Sequence, residues 1–197
     1  MNITAISDLE SKALWDHYNL NRLTDTDLIL SCGDLDPSYL SFLVTCTNVP
    51  LLYVHGNHDD YYDKKPPEGC ICIDDAIYEY RGIRILGLGG SIRYRDTGNY
   101  MYTEKNMQRR IRKLSRQLRK YNGFDILLTH APAYQLGDWD SPAHRGFESF
   151  VELLDKYTPK YMVHGHVHLN YGTNIQRTLQ YQDTQIINAY ERYSWTY

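Results

Sequence analysis

Five polar clusters built from metal-ligand residue types punctuate the sequence: Ser7-Asp8-Leu9-Glu10, Gly33-Asp34-Leu35-Asp36, Gly56-Asn57-His58-Asp59, His130 and Gly165-His166-Val167-His168. Carboxylate, amide oxygen and imidazole together suit a pair of divalent cations, with Mn, Fe, Zn and Mg all compatible. Each cluster alone has an ordinary explanation. An aspartate after a strand is usually a helix cap, and an isolated histidine is more often hydrogen-bonded than metal-bound. Five in succession resist that explanation. Two cations held ~3.5 to 4 Å apart would lower the pKa of a shared water, grip phosphoryl oxygens and orient an in-line displacement, which is what hydrolysis of an anionic phosphate ester requires. His58 is placed to stabilise the transition state or protonate the leaving alkoxide, with Asp59 as its orienting partner. The long polar connection from Ala131 to Gly146 follows His130 directly. Its Asp138, Trp139, His144 and Arg145 are candidates for reading substrate, with His144 and Arg145 the chosen pair because Arg145 offers a planar fork to phosphate.

Every cluster must be held by an element, and apolar runs of strand length precede all five. Such runs span Ile3 to Ile6, Leu28 to Leu30, Leu51 to Val54, Ile83 to Leu88, Ile126 to Leu128 and Tyr161 to Val163. Helical stretches lie between several of them, a pattern that predicts an α/β layered architecture. In such folds, sites gather beyond the carboxyl ends of strands. Asp36-Pro37 is an N-cap followed by a first-turn proline, with Tyr39, Leu40, Leu43 and Val44 on one face. A second helix is expected from Thr103 to Tyr121, with the stripe Met107, Ile111, Leu114, Leu118 and Tyr121 and a stop at Asn122-Gly123. A third runs from Phe147 to Tyr157 with Phe147, Phe150, Val151 and Leu154 inward, and the tail reads as β-rich.

In order and type, the clusters resemble the motifs of the calcineurin-like metallophosphoesterase superfamily, namely Asp-x-His, Gly-Asp, Gly-Asn-His-Asp/Glu, a lone His and Gly-His-x-His. Tyr171-Gly172-Thr173 and Ile187-Asn188-Ala189 more weakly resemble its small branch that includes cyclic-nucleotide phosphodiesterases. The resemblance implies an α/β/β/α sandwich. It also implies that Asp34 bridges two metals, with Asp8 and His168 on the first and Asn57, His130 and His166 on the second. Glu10 departs from the pattern, standing where the family has histidine. Either it binds the first metal and shifts preference toward Mn, Mg or Fe over Zn, or it acts through water and weakens that site.

Bulk properties narrow the remaining choices. With 197 residues, 42% of them apolar, the chain is expected to fold as one globular domain spanning 1–197. A net charge of −3 disfavours binding nucleic acid through a global field. The basic residues between Lys105 and Lys120 are expected to form a solvated face. No leader or membrane-length apolar run is visible, and Cys32, Cys46, Cys70 and Cys72 read as reduced thiols of a cytoplasmic protein. Nineteen tyrosines supply packing and rim material without indicating a chemistry. The expectation is a cytoplasmic hydrolase of phosphomonoesters or phosphodiesters that uses two divalent ions, Mn favoured, on a small phosphate-ester substrate. A nuclease of the same chemistry and a metal-binding interaction protein with weakened catalysis are the alternatives.

Overall fold

The computed structural model describes residues 1–15, 23–172 and 175–197; Thr173 of the Tyr171-Gly172-Thr173 segment lies outside them. In chain order the first half comprises β1 (Asn2–Ile6), α1 (Lys12–Trp15), β2 (Leu28–Ser31), α2 (Pro37–Cys46), β3 (Leu51–Tyr53), a 3-10 turn (Asp59–Asp63), β4 (Ile71–Cys72), β5 (Ala76–Tyr80) and β6 (Ile83–Leu88). The second half comprises β7 (Ser91–Ile92), β8 (Met101–Tyr102), α3 (Glu104–Lys113), α4 (Ser115–Lys120), β9 (Ile126–Thr129), α5 (Glu148–Tyr157), β10 (Tyr161–His164), β11 (Thr178–Tyr181), β12 (Thr184–Asn188) and β13 (Tyr193–Thr196).

The strands form two main sheets, ordered β13-β1-β2-β3-β4 and β11-β12-β10-β9-β6-β5. Strands β1 to β4 run parallel in the first, and β6, β9, β10 and β12 run parallel in the second, so their carboxyl ends share one rim of each sheet. Antiparallel β13, β11 and β5 occupy edges. A central apolar layer joins the sheets through Ile3, Leu30 and Val54 on one side and Ile85, Leu128 and Val163 on the other. The outer face of the first sheet carries α2 through Tyr39, Leu40 and Leu43, and that of the second carries α3 to α5 through Met107, Leu118, Phe150 and Leu154. This is the α/β/β/α sandwich. Strands covered on both faces have no exposed side to mark with polar residues, which is why β2, β9 and β10 are buried throughout.

Asp36 caps α2 as its sequence suggests, its Oδ1 accepting from the Ser38 amide at 2.7 Å ahead of Pro37. The expected helix from Thr103 to Tyr121 is instead two helices broken at Leu114, whose amide bonds to Ile111 rather than to residue 110. The break lets α3 pack on α5 while α4 turns toward β5, where the Gln117 Oε1 accepts from the Ile77 amide on the open edge of that strand. In α5, Leu153 is buried and Val151 only partly, and Phe147 precedes the helix as its N-cap. Phe147 has no capping side chain. The Glu104 carboxylate from α3 takes over, accepting from the Glu148 and Ser149 amides at 3.0 and 2.9 Å. Among the described residues, no helix is long and apolar enough to cross a membrane, and no disulfide joins any of the four cysteines.

Candidate metal centre

The loops that leave β1, β2, β3, β9 and β10 meet at the carboxyl-end rim and bring Asp8, Asp34, Asn57, His58, His166 and His168 into one cleft of about 550 Å³, with His130 buried behind them. Asp8, Asp34 and His166 take left-handed backbone conformations, with φ of 64°, 56° and 65°. That turn aims each side chain back over the sheet end. Gly33 adopts φ 94°, and a Cβ there would lie 2.1 Å from the Gly56 amide nitrogen, so a side chain would push the β2 and β3 loops apart. At Gly165 a Cβ would fall 1.9 Å from the Ser7 hydroxyl and 2.6 Å from the Asp8 carboxylate.

Backbone amides fix the carboxylates. The His166 amide donates to Asp8 at 2.9 and 3.1 Å, and the His58 amide donates to Asp34 Oδ1 at 2.8 Å. Asp59 is buried and accepts from the Asp34 and Gly56 amides at 2.9 and 2.6 Å. The orienting contact expected between Asp59 and the His58 ring is absent among the described residues: the carboxylate is spent tying the β2 and β3 loops together. Burial, reinforced by the Asp34 charge, raises the Asp59 pKa to about 6.

The imidazoles have fixed tautomers. His130 Nδ1 donates to the Cys32 carbonyl at 2.8 Å, which leaves the Nε2 lone pair facing Asn57 Oδ1 at 2.9 Å and Asp34 Oδ2 at 3.5 Å. His166 Nε2 donates to the Ala143 carbonyl at 2.7 Å, leaving Nδ1 as its lone pair. One ligand atom from each of Asp34, His130 and His166 lies within 4.8 Å of the other two. Oxygen and imidazole nitrogen atoms crowded together in this way form a cradle that suits a cation. His168 Nε2 stands 3.7 Å from Asp8 Oδ1, beside the Tyr171 and Tyr190 rings. Glu10 lines the cleft, and its Oε1 accepts from the Asp36 amide at 3.0 Å.

Burial opposes ionisation of Asp8, but His168, His130, Ser7 and His166 outweigh it and lower its pKa. Burial likewise opposes protonation of His130, yet Asp34, Asp8, Asp59 and the Cys32 carbonyl raise its pKa above the usual 6.5. Burial and repulsion from His130 lower the His166 pKa to about 3, so it stays neutral and ready to ligate. A proton on His130 therefore competes with a cation, whereas none on His166 does near neutrality. Divalent-metal affinity is expected to strengthen as pH rises through the elevated His130 pKa, with about one proton released at that residue on binding. Calorimetric titration with Mn in buffers of different ionisation enthalpy reads this directly, and a pH-independent affinity would contradict it.

The substrate candidates divide. His144 lines the cleft, its ring 4.9 Å from that of His166 and its Nδ1 2.7 Å from the Ser141 hydroxyl; burial and the neighbouring His168 lower its pKa. Arg145 does not reach the cleft. It pairs with Glu148 at 2.6 Å, lies over the Tyr134 ring and faces a neighbouring cavity with Asp138 and Trp139. The basic residues of α3 and α4 line none of the cleft, since those helices cover the outer face of the second sheet. Tyr61, Tyr62, Tyr94 and Tyr171, which line it, were not anticipated. Their chain positions carry no ligand pattern, and a tyrosine-rich composition hides them.

A family model described as calcineurin-like phosphoesterase matches residues 1–170 of the chain. Among curated proteins, none matches it. TT1561 of Thermus thermophilus shares the fold, with a TM-score of 0.67 and 17% identity over 96% of this chain and 89% of that one. A second crystal structure superposes with a TM-score of 0.70 and 13% identity, covering 96% of this chain and 90% of the other.

Proposed function

The chain belongs to the calcineurin-like phosphoesterase family, and from that premise we propose that it hydrolyses small phosphate esters at a two-metal centre. The observation that carries this reading is the convergence of Asp34, Asn57, His130 and His166, residues of metal-ligand type, at one place in the cleft. In the proposed assignment Asp34 would serve both ions, Asp8 and His168 would help hold the first, and Asn57, His130 and His166 the second. Mn suits this mixed oxygen and nitrogen set, with Fe, Zn and Mg as alternatives. When bound, such a pair supplies Lewis acidity toward phosphoryl oxygen and an acidified water at neutral pH.

The chain's own residues do the rest. Backbone amides of His58 and His166 hold Asp34 and Asp8 in place, so the acceptors need not reorganise. The Cys32 and Ala143 carbonyls fix the tautomers of His130 and His166. The His58 ring lines the cleft and is exposed, free to approach a phosphoryl or leaving oxygen. Glu10, held by the Asp36 amide through Oε1, keeps Oε2 for the first site, directly or through water.

A small ester fits the cleft better than a polynucleotide, because the basic residues of α3 and α4 do not border it. Four cysteines without a disulfide accord with the cytoplasmic setting we propose. Chelated protein given Mn should turn over 4-nitrophenyl phosphate or bis(4-nitrophenyl) phosphate and lose that activity on renewed chelation. No turnover of either ester under any of the four metals would remove the reading.

A further inference from the structure

We propose that the centre prefers singly charged phosphodiesters that carry a flat aromatic group on the arm that stays with phosphorus, with Tyr94 and Tyr171 as the residues that select that group. The inference rests on the hydrolase reading and adds to it a substrate class. Aromatic side chains are normally largely buried, yet Tyr61, Tyr94 and Tyr171 are 56%, 37% and 41% exposed. They are three of the five large exposed hydrophobics among the described residues, and all three line this one cleft. Concentration of exposed apolar surface in one place marks a binding site.

The two selecting rings border different members of the ligand set. Tyr94 lies on the Asn57 side, its hydroxyl 3.5 Å from the Asn57 amide nitrogen, and the Arg95 guanidinium sits 5.5 Å from its ring. Tyr171 lies on the His168 side, stacked on that imidazole at 4.6 Å and 15°, with His144 edge-on at 5.0 Å. Neighbouring groups therefore hold both rings in position before any ligand arrives, which reduces the entropic cost of stacking. A cleft of about 550 Å³ accommodates a phosphate and a ring beside it.

Charge sets the other half of the preference. Among the described residues, neither lysine nor arginine lines the cleft, whereas Asp8, Glu10, Asp34, Asp36 and Asp59 do. Those five carboxylates already match or exceed the charge of two divalent cations. Beyond the metals, a second phosphate or the extra charge of a monoester would meet carboxylate with no cation to balance it. A diester brings one negative charge and, on its second arm, a group for the rings to grip.

The test holds the leaving group constant and varies the other arm, comparing phenyl 4-nitrophenyl phosphate with methyl 4-nitrophenyl phosphate in the Mn-loaded protein. Each rate is divided by that ester's hydroxide-catalysed rate. The phenyl ester should be favoured about tenfold or more in kcat/KM, mainly through KM, as expected for one aromatic stacking contact. Both diesters should exceed 4-nitrophenyl phosphate. Tyr94→Ala and Tyr171→Ala should each bring the phenyl-to-methyl ratio toward one, and Tyr94→Phe should retain it, because the ring rather than the hydroxyl selects. Metal content, measured alongside, should stay at the wild-type value in Tyr94→Phe. A phenyl-to-methyl ratio near one in the wild type, a ratio unaltered in either alanine variant, or faster turnover of the monoester overturns the inference and leaves the hydrolase reading standing. Absence of turnover on all three esters overturns both.

Discussion

Replacing Asp34 by Asn should reduce kcat/KM by ~10³-fold or more and lower bound metal, because substitution of mere outer-shell partners already costs ~10 to 100-fold. Asp34 occupies the middle of the cradle. Its Oδ1 accepts from the His58 amide at 2.8 Å, and its Oδ2 faces His130 Nε2 at 3.5 Å. The amide keeps one oxygen and loses the charge, so one of those two relationships must fail. Its NH2 group would meet either the His58 N–H as a second donor or the His130 lone pair as a competitor for the cation. A second readout separates this cause from misfolding. The Asp34 charge helps raise the Asp59 pKa to about 6, so in the variant that pKa should fall toward the ordinary carboxylate value. Elemental analysis gives metal content, and carboxylate titration by NMR in metal-free protein gives the pKa. Full metal loading with undiminished turnover would remove Asp34 from the centre.

The second large effect is expected at His58, where truncation to Ala should lower kcat by ~10² to 10³-fold with metal content retained. The contact between this residue and the ligand set is its backbone amide, which truncation leaves in place, and the ring makes no hydrogen bond among the described residues. Its contribution should therefore appear in turnover. Leaving-group dependence identifies the role. If the imidazole protonates the departing oxygen, the loss should be severe for an alkyl alkoxide and slight for 4-nitrophenolate, which leaves without a proton. Equal losses would assign it to stabilising charge on the phosphoryl oxygens. Loss of bound metal in the variant would instead make the ring a ligand or a support.

The parts of this molecule legible in its sequence are those in which residue type and position carry the same message. Buried parallel strands read as apolar runs, and Asp34, Asn57 and His166 stand out because residues of metal-ligand type follow such runs closely. Asp36 before Pro37 announced a cap that the structure contains. The remainder depended on tertiary placement. Arg145 looked like a phosphate clamp by type, but the path of the loop from Ala131 to Gly146 delivers it to Glu148 and Tyr134. Asp59 looked like a partner for its neighbour His58, but its conformation turns the carboxylate inward to amides of two other positions. The break at Leu114 follows from where α5 and β5 stand, which no periodicity within the helix encodes. Edge strand β5 mixes Tyr78, Glu79 and Tyr80, since only part of it is covered. Tyr94 and Tyr171 become neighbours of one cleft only after folding.

Asp8, Asp34 and His166 share left-handed backbone conformations that most residue types resist. Asp, Asn and His are among the few side chains that enter this region readily, so the backbone restricts the alphabet at these positions before any chemistry does. Drift to Val, Ile or Thr at any of them would be penalised in folding as well as in activity. For Asp8 and Asp34, the quiet route out of function is therefore narrow and runs through Asn, which suits the same backbone while discarding the charge. A descendant that had kept this fold and given up the proposed hydrolysis should carry that amide signature rather than a scatter of apolar replacements.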